Sequence, residues 1–312
     1  MSKSRMMVVG SINQDIIFHD PIKSTEIGTI YGGYTMANGG KGNNQASAAG
    51  RLGADVVMVG CVGNDGYGRN QIEALKQIGV RTDCIEILEG IPTGLAYVGV
   101  KKDGTYNSDN AVGANSSLHY RQVEQALDRY PCDMIIMQIE MPLETVYKTY
   151  ELAKERGVPV ILDPGPAQRI DLEPLRGICM ISPNEDETYA LTGIRPDSDE
   201  KARQAAEIIR KQCSPQYIVL KLGGRGAYLF EDSGSEMIPS FSVHAVDTTG
   251  AGDTFTAALG ICLCQNMDIR SAIRYANAAG AICVSRPGGQ PSIPNMDEVR
   301  EFINHYREDG RI

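Results

Sequence analysis

Short apolar runs rich in branched residues alternate along the chain with longer amphipathic stretches. The runs fall at 6–10, 56–60, 134–139, 158–162, 178–182 and 216–221. The amphipathic stretches fall at 43–52, 68–78, 120–129, 143–156 and 200–212. A short continuous apolar run suits a strand buried on both faces, and a longer run with one apolar stripe suits a helix packed on a sheet. Alternation of the two predicts an α/β fold, a doubly wound and mainly parallel sheet flanked by helices. Segments 254–265 and 268–284 read as two largely apolar helices inside the body, and 296–308 as a terminal amphipathic helix. Two tracts, 14–37 and 93–110, break the alternation with β pattern and turn residues. Gly32-Gly33 and Asp103-Gly104 supply the turns, the second being a hairpin signal. They predict a small β-sheet lid, made by two excursions of a single domain spanning 1–312.

Composition narrows the partners. The 312 residues are 42% hydrophobic, enough for a large core, and carry a net charge of −9 without a basic block. That balance argues against nucleic acid or an anionic membrane as the main partner. No apolar run reaches the roughly 20 residues of a membrane span, and the segment after Met1 is too short for a signal peptide. The eight cysteines form no CxxC pair. They read as small buried hydrophobes in a reducing cytoplasm, with a metal role for Cys262 and Cys264 disfavoured. His19, His119, His244 and His305 are scattered and fit no catalytic or metal spacing, so they read as structural or surface residues.

An anionic ligand therefore needs a local device, and residues 247–253, Asp-Thr-Thr-Gly-Ala-Gly-Asp, provide one. They join a short extended run, 241–246, to the apolar helical run from Thr254. Glycines permit close backbone approach, a helix start offers unpaired N–H groups, and Asp253 places a carboxylate in the first turn. An anion cradle beside a candidate base is what phosphoryl transfer to a hydroxyl requires. Such a carboxylate is expected to stay ionised.

Other constellations fall at strand ends, where open α/β sheets bind ligands. Asn38 to Gln45 is glycine-rich and runs into a small-residue helix from Ala46. It is not a P-loop, because Gly42 and not Ser or Thr follows Lys41. Either it is a plain turn before a helix, or Lys41 and Asn44 hold a polyhydroxyl ligand. Asn13 and Asp15 are a turn pair or a hydroxyl-reading pair. Glu140 is a helix-start carboxylate or a ligand group. Asn184 to Glu187 either caps a helix or orients hydrated Mg²⁺. Lys221 to Ala227 is a hairpin turn or a nucleotide contact. Ser285 to Ser292 is a loop, or a set of carbonyls able to hold a cation.

Taken together, these tracts resemble the ribokinase-like (PfkB-type) carbohydrate kinase family over nearly the whole chain. Gly39-Gly40-Lys41-Gly42-Asn43-Asn44-Gln45 with Gly63-Asn64-Asp65-Gly66-Tyr67-Gly68 is similar to the family's N-terminal signature. Asp247 to Phe255 is similar to its C-terminal one. The resemblance implies an ATP-dependent sugar kinase. Asp253 would be the base, and Gly250, Ala251 and Gly252 would form the anion hole. Asn13, Asp15, Gly40, Lys41, Gly42, Asn44 and Glu140 would hold the sugar. Asn184, Lys221, Gly223, Gly226, Gly252 and Asn277 would line the nucleotide, and Glu187 the Mg²⁺ shell. Asp247, Thr249, Cys283, Arg286, Gly288 and Ser292 would hold a monovalent cation, K⁺ in the usual case, and a homodimer would pair the lids. The acceptor expected is D-ribose at its primary hydroxyl, the alternatives being deoxyribose, a nucleoside, a ketohexose or a modified sugar. A catalytically silent binding protein is the remaining alternative. The chain departs from the family pattern at Asp163, where Asn is usual, at Gly165, where Ala is usual, at Lys221, where Thr is common, and in a polar lid tract, 105–110.

Overall fold

The structure is a computed structural model that describes residues 3–23, 30–100 and 106–308. Two sheets organise it. The larger holds nine strands. In chain order these are β1 (Arg5–Val9), β4 (Asp55–Gly63), β5 (Arg81–Leu88), β8 (Met134–Met137), β9 (Val160–Leu162), β10 (Met180–Ile181), β11 (Tyr217–Lys221), β12 (Ala227–Glu231) and β13 (Gly234–Ile238). The smaller holds β2 (Asn13–Lys23), β3 (Ile30–Gly39), β6 (Gly94–Val100) and β7 (Tyr106–Ala111). The helices are α1 (Lys41–Arg51), α2 (Gly66–Gln77), α3 (Tyr120–Arg129), α4 (Leu143–Glu155), α5 (Glu185–Thr192), α6 (Asp199–Cys213), α7 (Ala251–Cys264), α8 (Ile269–Val284), α9 (Gly289–Ser292) and α10 (Met296–Glu308).

The large sheet has the order β13-β12-β11-β10-β9-β8-β1-β4-β5. Its pairings are parallel from β5 to β11, and β12 and β13 add an antiparallel edge. Alternation along β1 shows why helices must cover both faces. Met6 and Val8 enter one core, built with α1, α7 and α8, while Met7 and Val9 enter the other, built with α3, α4 and α6. Each face thus buries one residue in two of the same strand. The order reverses at β1, with β4 on one side and β8 on the other, so the crevice opens where these carboxyl ends diverge.

The small sheet runs β3-β2-β6-β7, with β2 and β6 parallel and both outer pairings antiparallel. The Asp103-Gly104 turn, with the rest of 101–105 and residues 24–29 of the other lid tract, lies outside the described residues. Asp65 anchors the base of this sheet. It caps α2 at Gly68 and accepts both the N–H and the hydroxyl of Thr93, each at 2.8 Å.

Three expectations need correction. The run 241–246 forms no strand, because β13 already occupies that edge of the sheet. Phe241 turns inward and packs edge-on against Phe302 and Tyr306 of α10. The small-residue helix begins at Lys41, not Ala46. Gly40 takes a positive φ of 87° that starts it there, and Ser11 and Glu140 accept N–H groups of its first turn. Likewise α7 begins at Ala251, behind Gly250 at φ 76°. Glycine adopts such angles without strain.

Candidate active site

The early start of α1 shapes the site. Lys41, Asn44 and Gln45 become positions i, i+3 and i+4 of one helix, hence neighbours on one face. That face meets the first turn of α7. Asn44 Nδ2 donates to Asp253 Oδ2 at 3.2 Å, and Gln45 Nε2 donates to Asp253 Oδ1 at 3.0 Å. Asp253 is buried. Burial, foremost, pushes its carboxyl up to about 6; the neighbouring Lys41 charge opposes this, the charge of Asp163 adds to it, and Lys221 opposes it. The carboxylate is ionised at neutral pH, as expected for a helix start, yet it titrates far closer to neutrality than an exposed one.

Next to it the backbone is open. Among the described residues, Thr254 N–H reaches Gly250 O and Ala251 N–H closes a turn on Thr248 O, while the N–H groups of Gly252 and Asp253 have no partner. These are the orphan donors of a helix start. A Cβ placed on Gly252 meets nothing nearer than Lys221 Nζ at 3.7 Å, so the backbone here is not covered by packed side chains.

The carboxyl ends of the strands supply the opposite wall. Asn13 begins β2 and its Oδ1 accepts from Asn115 Nδ2 at 2.7 Å. Asp15 lies against Gly39, whose missing side chain leaves room for the carboxylate. Burial first, then the charges of Glu140 and Asp253, push Asp15 up to about 7. Glu140 accepts from Lys41 N–H at 3.1 Å and from the Ser11 hydroxyl. Gly40 and Gly42 lie at the α1 start that this contact holds. Burial alone would lower the Lys41 ammonium, but Asp163, Asp253, Glu187 and Glu140 surround it and hold it well above its ordinary range.

Around the second half of the crevice, Asn184 and Glu187 form a capping box on α5. Glu187 Oε2 accepts from Asn184 N–H, and Oε1 is engaged only loosely by Lys41, at 3.4 Å. Lys221 ends β11, Gly223 opens a one-turn 3₁₀ segment and Gly226 closes it at φ 106°. Asn277 is buried and donates to Ile238 O and Pro239 O. Behind α7, Asp247 accepts from Thr249 N–H and Gly288 N–H at 2.9 and 3.0 Å. Cys283 Sγ lies 3.0 Å from Ser292 Oγ and donates to Thr249 O. The Arg286 side chain turns away from this group to Glu298 on α10.

Four further residues take a place in the site that the sequence did not assign them. Gln45, Gln138, Asp163 and Asn115 are all buried beside those above. Strand-end position hints at Gln138 and Asp163, but their partners lie far off in sequence.

A carboxylate of raised pKa, two free N–H groups at a helix start and a polar strand-end wall together define a phosphotransferase crevice. The chain belongs to the pfkB family of carbohydrate kinases, whose family model matches residues 3–296. It is 37% identical to a ribokinase of Haemophilus influenzae over 97% of this chain and 99% of that one. It is 32% identical to a deoxyribokinase of Salmonella typhi, over 95% and 98% respectively. The fold is similar to that of an Arabidopsis thaliana ribokinase complexed with ribose and ATP, with a TM-score of 0.87, 31% identity and 97% and 99% of the two chains covered.

Proposed function

We propose that the chain transfers the terminal phosphoryl group of ATP to the primary hydroxyl of D-ribose, giving ribose 5-phosphate. The observation that carries this reading is the Asp253 carboxylate, held by Asn44 and Gln45 one residue from the unpartnered N–H of Gly252. Asp253 takes the hydroxyl proton. Gly250, Ala251 and Gly252 bring fixed dipoles to the phosphoryl oxygens, where charge accumulates in the transition state. Asn13, Asp15, Gly40, Lys41, Gly42, Asn44 and Glu140 hold the sugar. Asn184, Lys221, Gly223, Gly226, Gly252 and Asn277 line the nucleotide.

Bound Mg²⁺ neutralises charge on the nucleotide phosphates. Glu187 suits its water shell and not direct ligation, since one oxygen is committed to Asn184 and the other is only loosely engaged. Asp247, Thr249, Cys283, Arg286, Gly288 and Ser292 would hold a monovalent cation, K⁺ in this reading. Asp247 accepts from Thr249 N–H, and Thr249 O and Ser292 Oγ both lie against Cys283 Sγ, which places oxygen donors of the type a hard cation prefers in one region. Arg286 would take part through its backbone. Replacing K⁺ by a bulky organic cation is expected to lower kcat about tenfold, through looser packing of the α7 start, and Asp247→Ala to abolish that sensitivity.

The chain works as one domain, 1–312, with a lid from about 14–37 and 93–110. Tyr34 and Met36 are 62% and 49% exposed on edge strand β3, which supports a homodimer paired through the lids. Free cysteines among the described residues suit the cytoplasm.

Deoxyribose is a second reading, favoured by the similarity to a deoxyribokinase. ADP release over a panel of free pentoses, deoxyribose, nucleosides and ketohexoses decides between them. The highest kcat/KM is expected with D-ribose. Turnover with another acceptor and none with any free pentose would overturn the reading.

A further inference from the structure

Behind Asp253 lies a second carboxylate. Asp163 follows β9 with its side chain 0% exposed. Its Oδ2 accepts from Lys221 Nζ at 2.8 Å, from Gln45 Nε2 at 3.0 Å and, weakly, from Thr256 Oγ1 at 3.4 Å. Its Oδ1 is buried without a hydrogen-bond partner. The Gln45 amide nitrogen therefore sits 3.0 Å from both Asp163 and Asp253. Only an NH₂ group can face two carboxylates, so the amide has one admissible orientation. Its Oε1 then faces Gln138, whose own NH₂ donates to it. The aim of Asp253 depends on this wedge.

Two carboxylates around one amide in a buried site would ordinarily share a proton, because both cannot ionise cheaply. Lys221, 9% exposed, removes the conflict by pairing with Asp163. Burial alone would raise Asp163, but the Lys221 charge, then Lys41, hold it below the ordinary carboxylate range. Asp163 and Lys221 are also two of the departures from the family pattern, and their charges cancel.

We propose that Asp163 and Lys221 act as one interdependent pair of positioning residues: Asp163 holds the Gln45 amide that aims Asp253, and Lys221 pairs with Asp163 so that the two carboxylates on that amide can both keep their charge. This rests on the reading of Asp253 as the base. The other charged or titratable groups facing Asp253 are Lys41 of α1, Asp15 of β2 and Cys283 of α8. All three remain in each variant below, so they do not contribute to the differences.

The test is a double-mutant cycle, with the pH dependence of kcat/KM recorded for the full chain with ATP and D-ribose. Lys221→Thr leaves a bare carboxylate beside Asp253, raises its proton affinity and moves the acid limb to higher pH. Asp163→Asn leaves a bare ammonium and moves the limb to lower pH. Each single change is expected to lower kcat/KM about 10²-fold. The double change removes both charges, returns the limb to the parent position and recovers activity to within about tenfold. If Asp163→Asn does not fold, comparing Lys221→Thr with the double variant still separates the two outcomes. Unmoved acid limbs, or a double variant no better than the poorer single, would overturn the proposal. Full activity of Asp253→Asn would instead overturn the assignment of the base.

Discussion

Asp253→Asn is expected to lower kcat about 10³-fold, within the 10²–10⁴ range of a positioned general base. The substitution keeps the size and one oxygen of the side chain. Asn44 reaches Oδ2 and Gln45 reaches Oδ1, so the remaining oxygen keeps one of the two donors while the new NH₂ faces the other; the pocket keeps its shape, and KM for sugar and nucleotide should change little. A fall in kcat with unchanged KM marks an interaction made only in the transition state. Steady-state kinetics, with circular dichroism to check the fold, decides this. An unchanged ATP-dependent rate would remove Asp253 from the chemistry. The pH dependence follows from the same carboxylate. The base is competent when ionised, and its proton leaves at about 6. Activity limited by this base is therefore expected to fall about tenfold per pH unit below that value, with protonation of the sugar-side Asp15, raised to about 7, starting the decline above it.

Gly252→Ala separates activity from stability. The methyl group would meet no atom nearer than Lys221 Nζ at 3.7 Å, so the empty protein accommodates it. Alanine in a helix gains about 0.5–1 kcal/mol over glycine, and thermal stability is expected to hold or rise. In the proposed mechanism the phosphoryl oxygens approach the backbone at Gly252, and the added methyl group is expected to crowd them. Losing one such contact costs about 10²-fold in kcat. Melting temperature and kcat measured side by side check both halves. A variant that is stable and fully active would show that phosphoryl transfer does not pass over Gly252.

The sequence was most informative where function and local chemistry coincide. Asp253 in the first turn after glycines was legible because helix starts have a residue signature. The parallel sheet was legible because two-sided burial writes continuous apolar runs. Less legible was what depends on distant partners. The helix start at Lys41 requires Gly40 to turn and Glu140, about a hundred residues on, to receive its N–H. The extended pattern of 241–246 was outcompeted by aromatic packing on α10. Asp163 drew notice only as a departure from a family pattern, since nothing local says that its partner is Lys221. Gln45 appeared as one polar residue of a turn, and only the meeting of α1 with α7 makes it the amide shared by two carboxylates.

The product is the most direct test of phosphoryl transfer to ribose. Phosphorus–proton correlation NMR on the mixture formed from ATP and D-ribose should show one new phosphate ester, coupled to the two C5 protons. A phosphate coupled to the anomeric proton, or ATP consumed without any ribose ester, would contradict it.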